Sequence, residues 1–301
     1  MKLCKPLFEI WEQSAGLEGV YKQIEKVGRV CYKSEDKITE DSAKPFVDRM
    51  IKSGHGAMLE HGTIYLQYET VKNAINPLTK YHLNKYSKVK AKEGATEETT
   101  RLFVTTNLRV LVENDWLDDL QYICEPTEYH ERRVTVHFVC DRGVSHEFVR
   151  HRVMSFAQES TRYCNYSKDK FGNELTFIIP CWLDIPTGHY AYWDGDWCDI
   201  DKMKIQLPEG EHKDIDAFLW TLNNAETHYT LLINSGWKPQ EARAVLPNAL
   251  KTELVITGFT SDWNHFFDLR ARGTTGAPHP QAKELAEPLM KEFIARKYIN
   301  N

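Results

Sequence analysis

Two hydrophobic periodicities occur in this chain of 301 residues, and together they limit what it can fold into. Residues 214–235 carry apolar side chains at three- and four-residue spacing, which predicts an amphipathic helix ending at Gly236. The segments around Ile64 and Val134 instead alternate apolar and polar residues, as strands with one buried face do. We therefore predict an α+β fold, a mostly antiparallel sheet packed with helices.

Several shorter segments support the same fold class. Further helices are predicted at 41–54, from Ser145 onward, and at 239–247, 260–270 and 282–298, and a further strand at 175–180. No repeat, low-complexity tract or linker interrupts the chain, so residues 1–301 are predicted to form a single domain. A polar, Lys-rich stretch near 70–100 is predicted to be an excursion from the core, and the Trp-rich piece at 190–197 a surface loop.

Charge and cysteine content exclude several functional classes. The net charge of −5 argues against a protein whose main task is to grip nucleic acid. No apolar run approaches the roughly 20 residues that span a membrane, and the first residues lack a secretory cleavage pattern. None of the seven cysteines forms a C-x-x-C pair, so we expect reduced thiols and a cytoplasmic protein.

The stretch "RHRVMSFAQESTRY", residues 150–163, concentrates positive charge in an acidic chain. Its cationic or near-cationic residues are Arg150, His151, Arg152 and Arg162. Only one carboxylate, Glu159, offsets them, while Ser155 and Ser160 add hydroxyl groups. Like charges about 6 Å apart repel by roughly 3 kcal/mol at an effective dielectric near 20, so a solvated face is the weaker interpretation. Arginines with hydroxyls suit a phosphate or diphosphate.

A zinc site is a poor fit to the neighbouring histidines. His146, Glu147 and His151 approach the zinc-protease helix motif, but that motif needs its histidines four residues apart. Here they are five apart, and at about 100° per residue the two side chains diverge by roughly 140°. We predict no metal. Arg243 and Arg270 follow apolar helical patterns, where an arginine is either structurally paired or functional.

Motifs for other enzyme classes are missing. The sequence contains no G-x-S-x-G elbow, no phosphate-binding G-x-x-x-x-G-K-[ST] loop and no G-x-G-x-x-G. None of the cysteines lies in a recognisable activating setting. A covalent nucleophile is therefore not evident.

The arginine-rich stretch resembles the signature of flavin-dependent thymidylate synthases: Arg-His-Arg, seven residues, then Ser. Here these are Arg150 to Arg152 and Ser160, and the following residues also match. "GHGAMLEH" upstream, and "EARAVLP" and "WNHFFDLR" downstream, occur in the family's order. The resemblance extends from about Gly54 to about Arg270.

The resemblance implies an activity and its cofactors. Such enzymes convert dUMP to dTMP, with methylenetetrahydrofolate as carbon donor and FAD, reduced by NADPH, as hydride carrier. They work as homotetramers with active sites between subunits, without nucleic acid or membrane. A non-catalytic nucleotide- or RNA-binding module that uses the same basic and aromatic residues is the alternative.

The resemblance also assigns residues. For dUMP it implies Glu147, Arg150, Gln158, Glu159, Ser160, Thr161, Arg162, Arg243 and Arg270. For FAD it implies His61, Thr63, Arg150, His151, Arg152, Gln158 and His265. Arg270 would be catalytic, stabilising negative charge on the uracil ring. The chain departs from the family's pattern at Ala157, Gln158, Phe259 and Ser261.

Overall fold

The computed structural model describes residues 1–71, 77–168, 172–193, 195–201 and 213–300. The helices in these ranges, α1 to α8, are Gly16–Tyr32, Ala43–Lys52, Leu108–Glu113, Arg142–Phe148, Lys213–Asn234, Pro239–Ala242, Thr260–Phe267 and Pro280–Ala295. The strands, β1 to β11, are Lys2–Cys4, Leu7–Trp11, Thr63–Val71, Lys88–Glu93, Thr99–Asn107, Arg133–Asp141, Ser155–Gln158, Thr176–Ile178, Gly188–Trp193, Asp196–Asp199 and Lys251–Phe259.

The strands form three sheets, and all but one of their pairings are antiparallel. The central sheet has the order β2-β6-β11-β7, and Val136 on β6 lies opposite Ile256 on β11. A second sheet has the order β10-β9-β1-β8, in which β1 and β8 run parallel. The third has the order β3-β5-β4. The predicted α+β class, with mostly antiparallel sheet, is confirmed.

Helices cover both faces of the central sheet. On one face, Ile24 and Val27 of α1 share a core with Val255 of β11. On the other, α4, α7 and α8 enclose an aromatic core in which the Phe138 and Phe148 rings lie 5.1 Å apart. The ends of α4, α7 and β7 are thereby fixed against one rigid sheet.

The predicted helix after Ser145 is displaced in the structure. Helix α4 begins at Arg142 because the Asp141 carboxylate accepts a hydrogen bond from the amide of Val144 at 2.8 Å. It ends at Phe148, so the prediction that it continues into the arginine-rich stretch is wrong. Part of that stretch forms β7 instead, which pairs with β11.

The prediction of a surface loop at 190–197 is also wrong. Strands β9 and β10 pair antiparallel there, with Tyr190 and Trp197 buried. Gly195 has a φ of +86° between them, a conformation that glycine adopts without a steric penalty. Tyr192 and Trp193 are adjacent and both exposed, so β9 lacks the alternation that predicts a strand.

The Lys-rich stretch lies partly outside the described residues, which omit 72–76. Its described part includes β4, an edge strand that pairs with β5. Lysine side chains are common on such edges, where they discourage pairing with other chains. Within the described parts of the chain, no helix combines the length and hydrophobicity needed to cross a membrane.

Candidate functional site

Arg270 lies on a single π-helical turn, Asp268–Arg272, that extends α7 toward the end of α4. Its Nη1 and Nη2 donate to the side-chain and backbone oxygens of Glu147 at 2.7 and 2.8 Å. Its Nε donates to Nε2 of His151 at 3.3 Å. Within the described ranges, these bonds use three of the five N–H groups of the guanidinium, so two are available to a ligand.

His151 is buried beside this arginine and is uncharged at neutral pH. Burial, with the nearby charge of Arg270 and the His265 ring, lowers the pKa of His151 to about 4. The rings of His151 and His265 lie 5.8 Å apart. Glu147, His151, His265 and Arg270 therefore form one group, which we call the Arg270 cluster. The cluster contains two residues predicted to bind dUMP, Glu147 and Arg270, and two predicted to bind FAD, His151 and His265.

The three arginines of the signature stretch, Arg150, Arg152 and Arg162, are exposed. Among the described residues, no carboxylate oxygen lies within 4.0 Å of their guanidinium groups. The exposed ring of Tyr163 lies 5.4 Å from the Arg162 guanidinium. This surface remains positively charged and available to an anion.

The segment after β7 is tied to the rest of the protein by its backbone. The amide of Ser160 donates to the carbonyl of Cys31 at 3.0 Å. The neighbouring Thr161 accepts a hydrogen bond from Nη1 of Arg243 at 3.2 Å. Arg243 itself lies just after α6, so the structure brings these two predicted dUMP residues together.

Gln158 contacts α4 and β11. Its Nε2 donates to Oγ of Ser145 at 2.9 Å and to Oγ1 of Thr252 at 3.2 Å. The side chain thus orients α4, which carries Glu147, relative to the sheet.

Glu159 occupies a buried, paired position. Its carboxylate accepts hydrogen bonds from Tyr166 and from Nζ of Lys251, both at 2.9 Å, and the residue is 2% exposed. Lys251 also contacts Glu253 at 2.5 Å, and His137 contacts the other oxygen of Glu253 at 2.9 Å. These contacts give Glu159 a structural role, and its contact with dUMP stays a prediction.

His61 and Thr63 are buried as well. His61 is hydrogen-bonded through Nδ1 to Thr257 at 2.8 Å, and burial, followed by the charge of Arg133, lowers the pKa of His61 to about 3. The Thr63 hydroxyl lies 3.3 Å from Nη1 of Arg133. Direct contact of either residue with a flavin stays a prediction.

Arg133 was missed by the sequence analysis. It begins β6 and also bonds to Oγ of Ser155 at 3.2 Å and to the carbonyl of Glu60 at 2.9 Å. The ring of Phe259 lies 5.5 Å from its guanidinium, and burial lowers its pKa to about 10. The only sequence signal was an arginine at the start of a strand. Its contacts are with residues 22 and 73 positions away, which the sequence does not reveal.

Ser261, one of the departures from the family's pattern, lies in the first turn of α7. Its hydroxyl donates to the Glu131 carboxylate at 2.5 Å. The described contacts therefore give Ser261 a local role.

Three of the cysteine thiols, those of Cys31, Cys124 and Cys140, are poorly suited to nucleophilic attack. Burial raises the pKa of Cys31, the one bonded through its backbone to Ser160, to about 11. Burial also raises the pKa of Cys124 to about 11 and that of the enclosed Cys140. At neutral pH these thiols are protonated, and the thiolate is the nucleophilic form. Across the described ranges, no three His, Cys, Asp or Glu residues group as metal ligands would.

The described part of the chain is thus a mainly antiparallel α+β fold in which exposed arginines lie beside a buried, uncharged histidine. The family model described as thymidylate synthase complementing protein matches residues 125–296, more than half of the chain. The chain belongs to this family.

Individual relatives agree with the family. A flavin-dependent thymidylate synthase of Pyrococcus furiosus is 31% identical over 163 residues, 53% of this chain and 53% of that protein. One from Corynebacterium aurimucosum is 22% identical over 284 residues, 93% of this chain and 78% of that protein. The chain spans about half the length of several such relatives, at 53% and 43% for two of them.

Among solved structures, the UMP/dUMP methylase PolB of Streptomyces cacaoi, bound with 5-Br dUMP, is similar over 98% of this chain and 93% of that one. The sequence identity is 17% and the TM-score 0.42. A likeness at this level carries no argument about the site.

Proposed function

We propose that this protein methylates dUMP to dTMP, taking the carbon from methylenetetrahydrofolate and the hydride from FAD that NADPH has reduced. The observation that carries the proposal is the Arg270 cluster lying next to the exposed Arg150 and Arg152. The relatives named as flavin-dependent thymidylate synthases support the same activity.

The exposed residues of the signature fit a flavin dinucleotide. Its diphosphate carries negative charge, and Arg150 and Arg152 offer guanidinium groups with no carboxylate among the described residues within 4.0 Å. Fork-shaped guanidinium groups bind phosphate oxygens through paired hydrogen bonds. When bound, FAD supplies hydride chemistry that no side chain provides.

Arg270 would act on the uracil ring. Uracil C5 is a poor nucleophile, and negative charge on the ring makes it a better one. The two N–H groups that Arg270 retains would stabilise that charge at a ring oxygen or nitrogen. Preorganised donors of this kind contribute roughly 3 kcal/mol.

Glu147 and His151 would position Arg270. Each accepts a hydrogen bond from it, at 2.7 and 3.3 Å respectively. Because His151 is neutral, it adds no positive charge that would repel the guanidinium. The buried cysteines stay protonated, so charge stabilisation is the favoured route rather than addition of a thiolate to C6.

The family's assembly also enters the proposal. We propose a homotetramer in which the exposed arginines of one subunit face residues of another. The exposed Arg150, Arg152 and Arg162 are compatible with a site that is completed by a neighbour.

The test is the absorbance spectrum of the purified protein, followed by turnover. The protein should be yellow, with flavin absorbance that NADPH bleaches, and should form dTMP from dUMP only when methylenetetrahydrofolate is added. A colourless protein that binds no added FAD would refute the proposal. Tight, salt-sensitive binding of single-stranded RNA without flavin would favour the RNA-binding alternative instead.

A further inference from the structure

Arg142 lies at an open pocket whose other polar residues already belong to the candidate site. The pocket has a volume of about 300 Å³ and is lined by Arg142, Thr161, Arg243, Ala244 and Leu246. Arg142 is the first residue of α4 and is not part of the arginine-rich signature. Nothing in the sequence motifs assigns it a role.

The pocket is positively charged and lacks an internal counter-ion. In the described ranges, no carboxylate oxygen lies within 4.0 Å of the guanidinium of Arg142 or Arg243. The nearest acid in sequence, Asp141, is engaged elsewhere, since it caps α4 and accepts from Gln281 at 2.9 Å. Two guanidinium groups and the Thr161 hydroxyl therefore face a shared space without neutralisation.

The backbone holds the two arginines in fixed relation. The amide of Arg142 donates to the carbonyls of Asn248 and Leu250 at 2.9 and 3.1 Å. Asn248 and Leu250 belong to a short loop that begins at Arg243. The carbonyl of Arg243 accepts a hydrogen bond from the amide of Leu246 at 3.1 Å. One short loop therefore fixes the backbones of both residues relative to each other.

We infer that Arg142 is a binding residue for the 5′-phosphate of the nucleotide substrate, acting with Arg243 and Thr161. The inference rests on the proposed function. A phosphate monoester presents three terminal oxygens and up to two negative charges, which match two guanidinium groups and a hydroxyl. The chain carries Thr161 directly after Ser160, so the pocket continues the signature segment rather than forming a separate site.

The experiment compares Arg142→Met and Arg142→Lys with the unchanged protein. Methionine keeps much of the side-chain length but removes the charge, whereas lysine keeps the charge without the fork. Calorimetric titration with dUMP should show at least about tenfold weaker binding for Arg142→Met, with partial recovery for Arg142→Lys. Inorganic phosphate should compete with dUMP in the unchanged protein and lose that competition in Arg142→Met.

Steady-state kinetics and flavin content give further readouts. The KM for dUMP should rise while kcat changes little, because the phosphate contact is the same in ground and transition states. The FAD bound per chain should not change. Arg132→Met is the control, since Arg132 is an exposed arginine that lies outside this pocket.

Each adverse outcome has a distinct meaning. Unchanged dUMP affinity in Arg142→Met, or no binding of dUMP and phosphate by the unchanged protein, would overturn the inference. Loss of FAD instead of dUMP would also overturn it, by assigning the pocket to the diphosphate of the dinucleotide. Binding of dUMP that depends on Arg142 but yields no dTMP would uphold the pocket and refute the proposed function.

Discussion

Two groups of charged residues lie in or next to elements that pack around the central sheet, and they differ in how their charge is balanced. We call the first the open cluster: Arg142, Arg150, Arg152, Arg162 and Arg243. We call the second the paired cluster: Lys33, His137, Glu159, Lys251 and Glu253. In the paired cluster, Lys251 lies between Glu159 and Glu253 at 2.9 and 2.5 Å.

The pairing changes the ionisation of the buried groups. Burial by itself opposes charge on both Lys251 and Glu253. The two carboxylates nevertheless raise the pKa of Lys251 above its ordinary value. His137, Lys251 and Lys33 likewise lower the pKa of Glu253 below its ordinary range. The charges of the paired cluster are neutralised within the protein, whereas those of the open cluster need a ligand to neutralise them.

The largest effect on stability is expected from Lys251→Met. The substitution leaves two buried carboxylates without their shared cation, so the free energy of unfolding should fall by about 3 kcal/mol. Urea denaturation at pH 7 measures this change in the free energy of unfolding. The matched control is Lys44→Met, because Lys44 is exposed and pairs with Asp48 on the surface of α2. Lys44→Met should leave the urea midpoint unchanged. If Lys251→Met also left it unchanged, the two clusters would not differ in their contribution to stability.

The largest effect on activity is expected from Arg270→Ala. Loss of the charge-stabilising donor should lower the rate of dTMP formation about 100- to 1000-fold, while FAD stays bound. Turnover assays and the flavin spectrum measure the two quantities. Arg272→Ala is the control, because Arg272 is exposed two residues away and bonds to Asp268 at 2.9 Å. Full turnover by Arg270→Ala would contradict the assigned role.

The open cluster was accessible to sequence reasoning because much of it is local. Arg150, Arg152 and Ser160 lie within eleven residues, so their proximity follows from the chain itself. The strand at β6 and helix α5 were likewise predicted from their periodicity and are present in the structure. That the chain forms one domain stays a prediction.

The paired cluster was not accessible in this way. Glu159 and Lys251 are 92 positions apart. From sequence alone, a carboxylate within a basic stretch is interpreted as part of the binding site predicted for that stretch. Strand β11 was missed because it is buried on both faces, which removes the alternation that predicts a strand. Charge neutralisation between distant strands is a tertiary property that sequence spacing does not encode.

Acidification should weaken the folded state through the buried histidines. His61 has a pKa of about 3 in the folded protein, against about 6.5 when unfolded. The unfolded chain therefore binds more protons between pH 6.5 and 3, so stability is full above 6.5 and falls as the pH decreases. The expected slope is up to ~1.4 kcal/mol per pH unit for each such histidine.

Denaturant unfolding at several pH values between 7 and 4 measures this slope. His61→Asn should reduce the slope by about one proton, although the variant starts less stable. His55→Asn is the control, because His55 is exposed on the loop after α2. A slope that is the same in His61→Asn and the unchanged protein would assign the acid sensitivity to other groups.

The smallest effect on stability is expected from Arg150→Met, and it is the sharpest test of the comparison. Arg150 is exposed, so its removal should change the free energy of unfolding by no more than about 0.5 kcal/mol. Flavin retention should fall in the same variant, because a guanidinium that is not paired within the chain is available to the cofactor. A loss of stability close to that of Lys251→Met would mean that Arg150 has an internal partner in the assembled protein. The open cluster would then be a second paired cluster, and the charge of this surface would explain folding rather than binding.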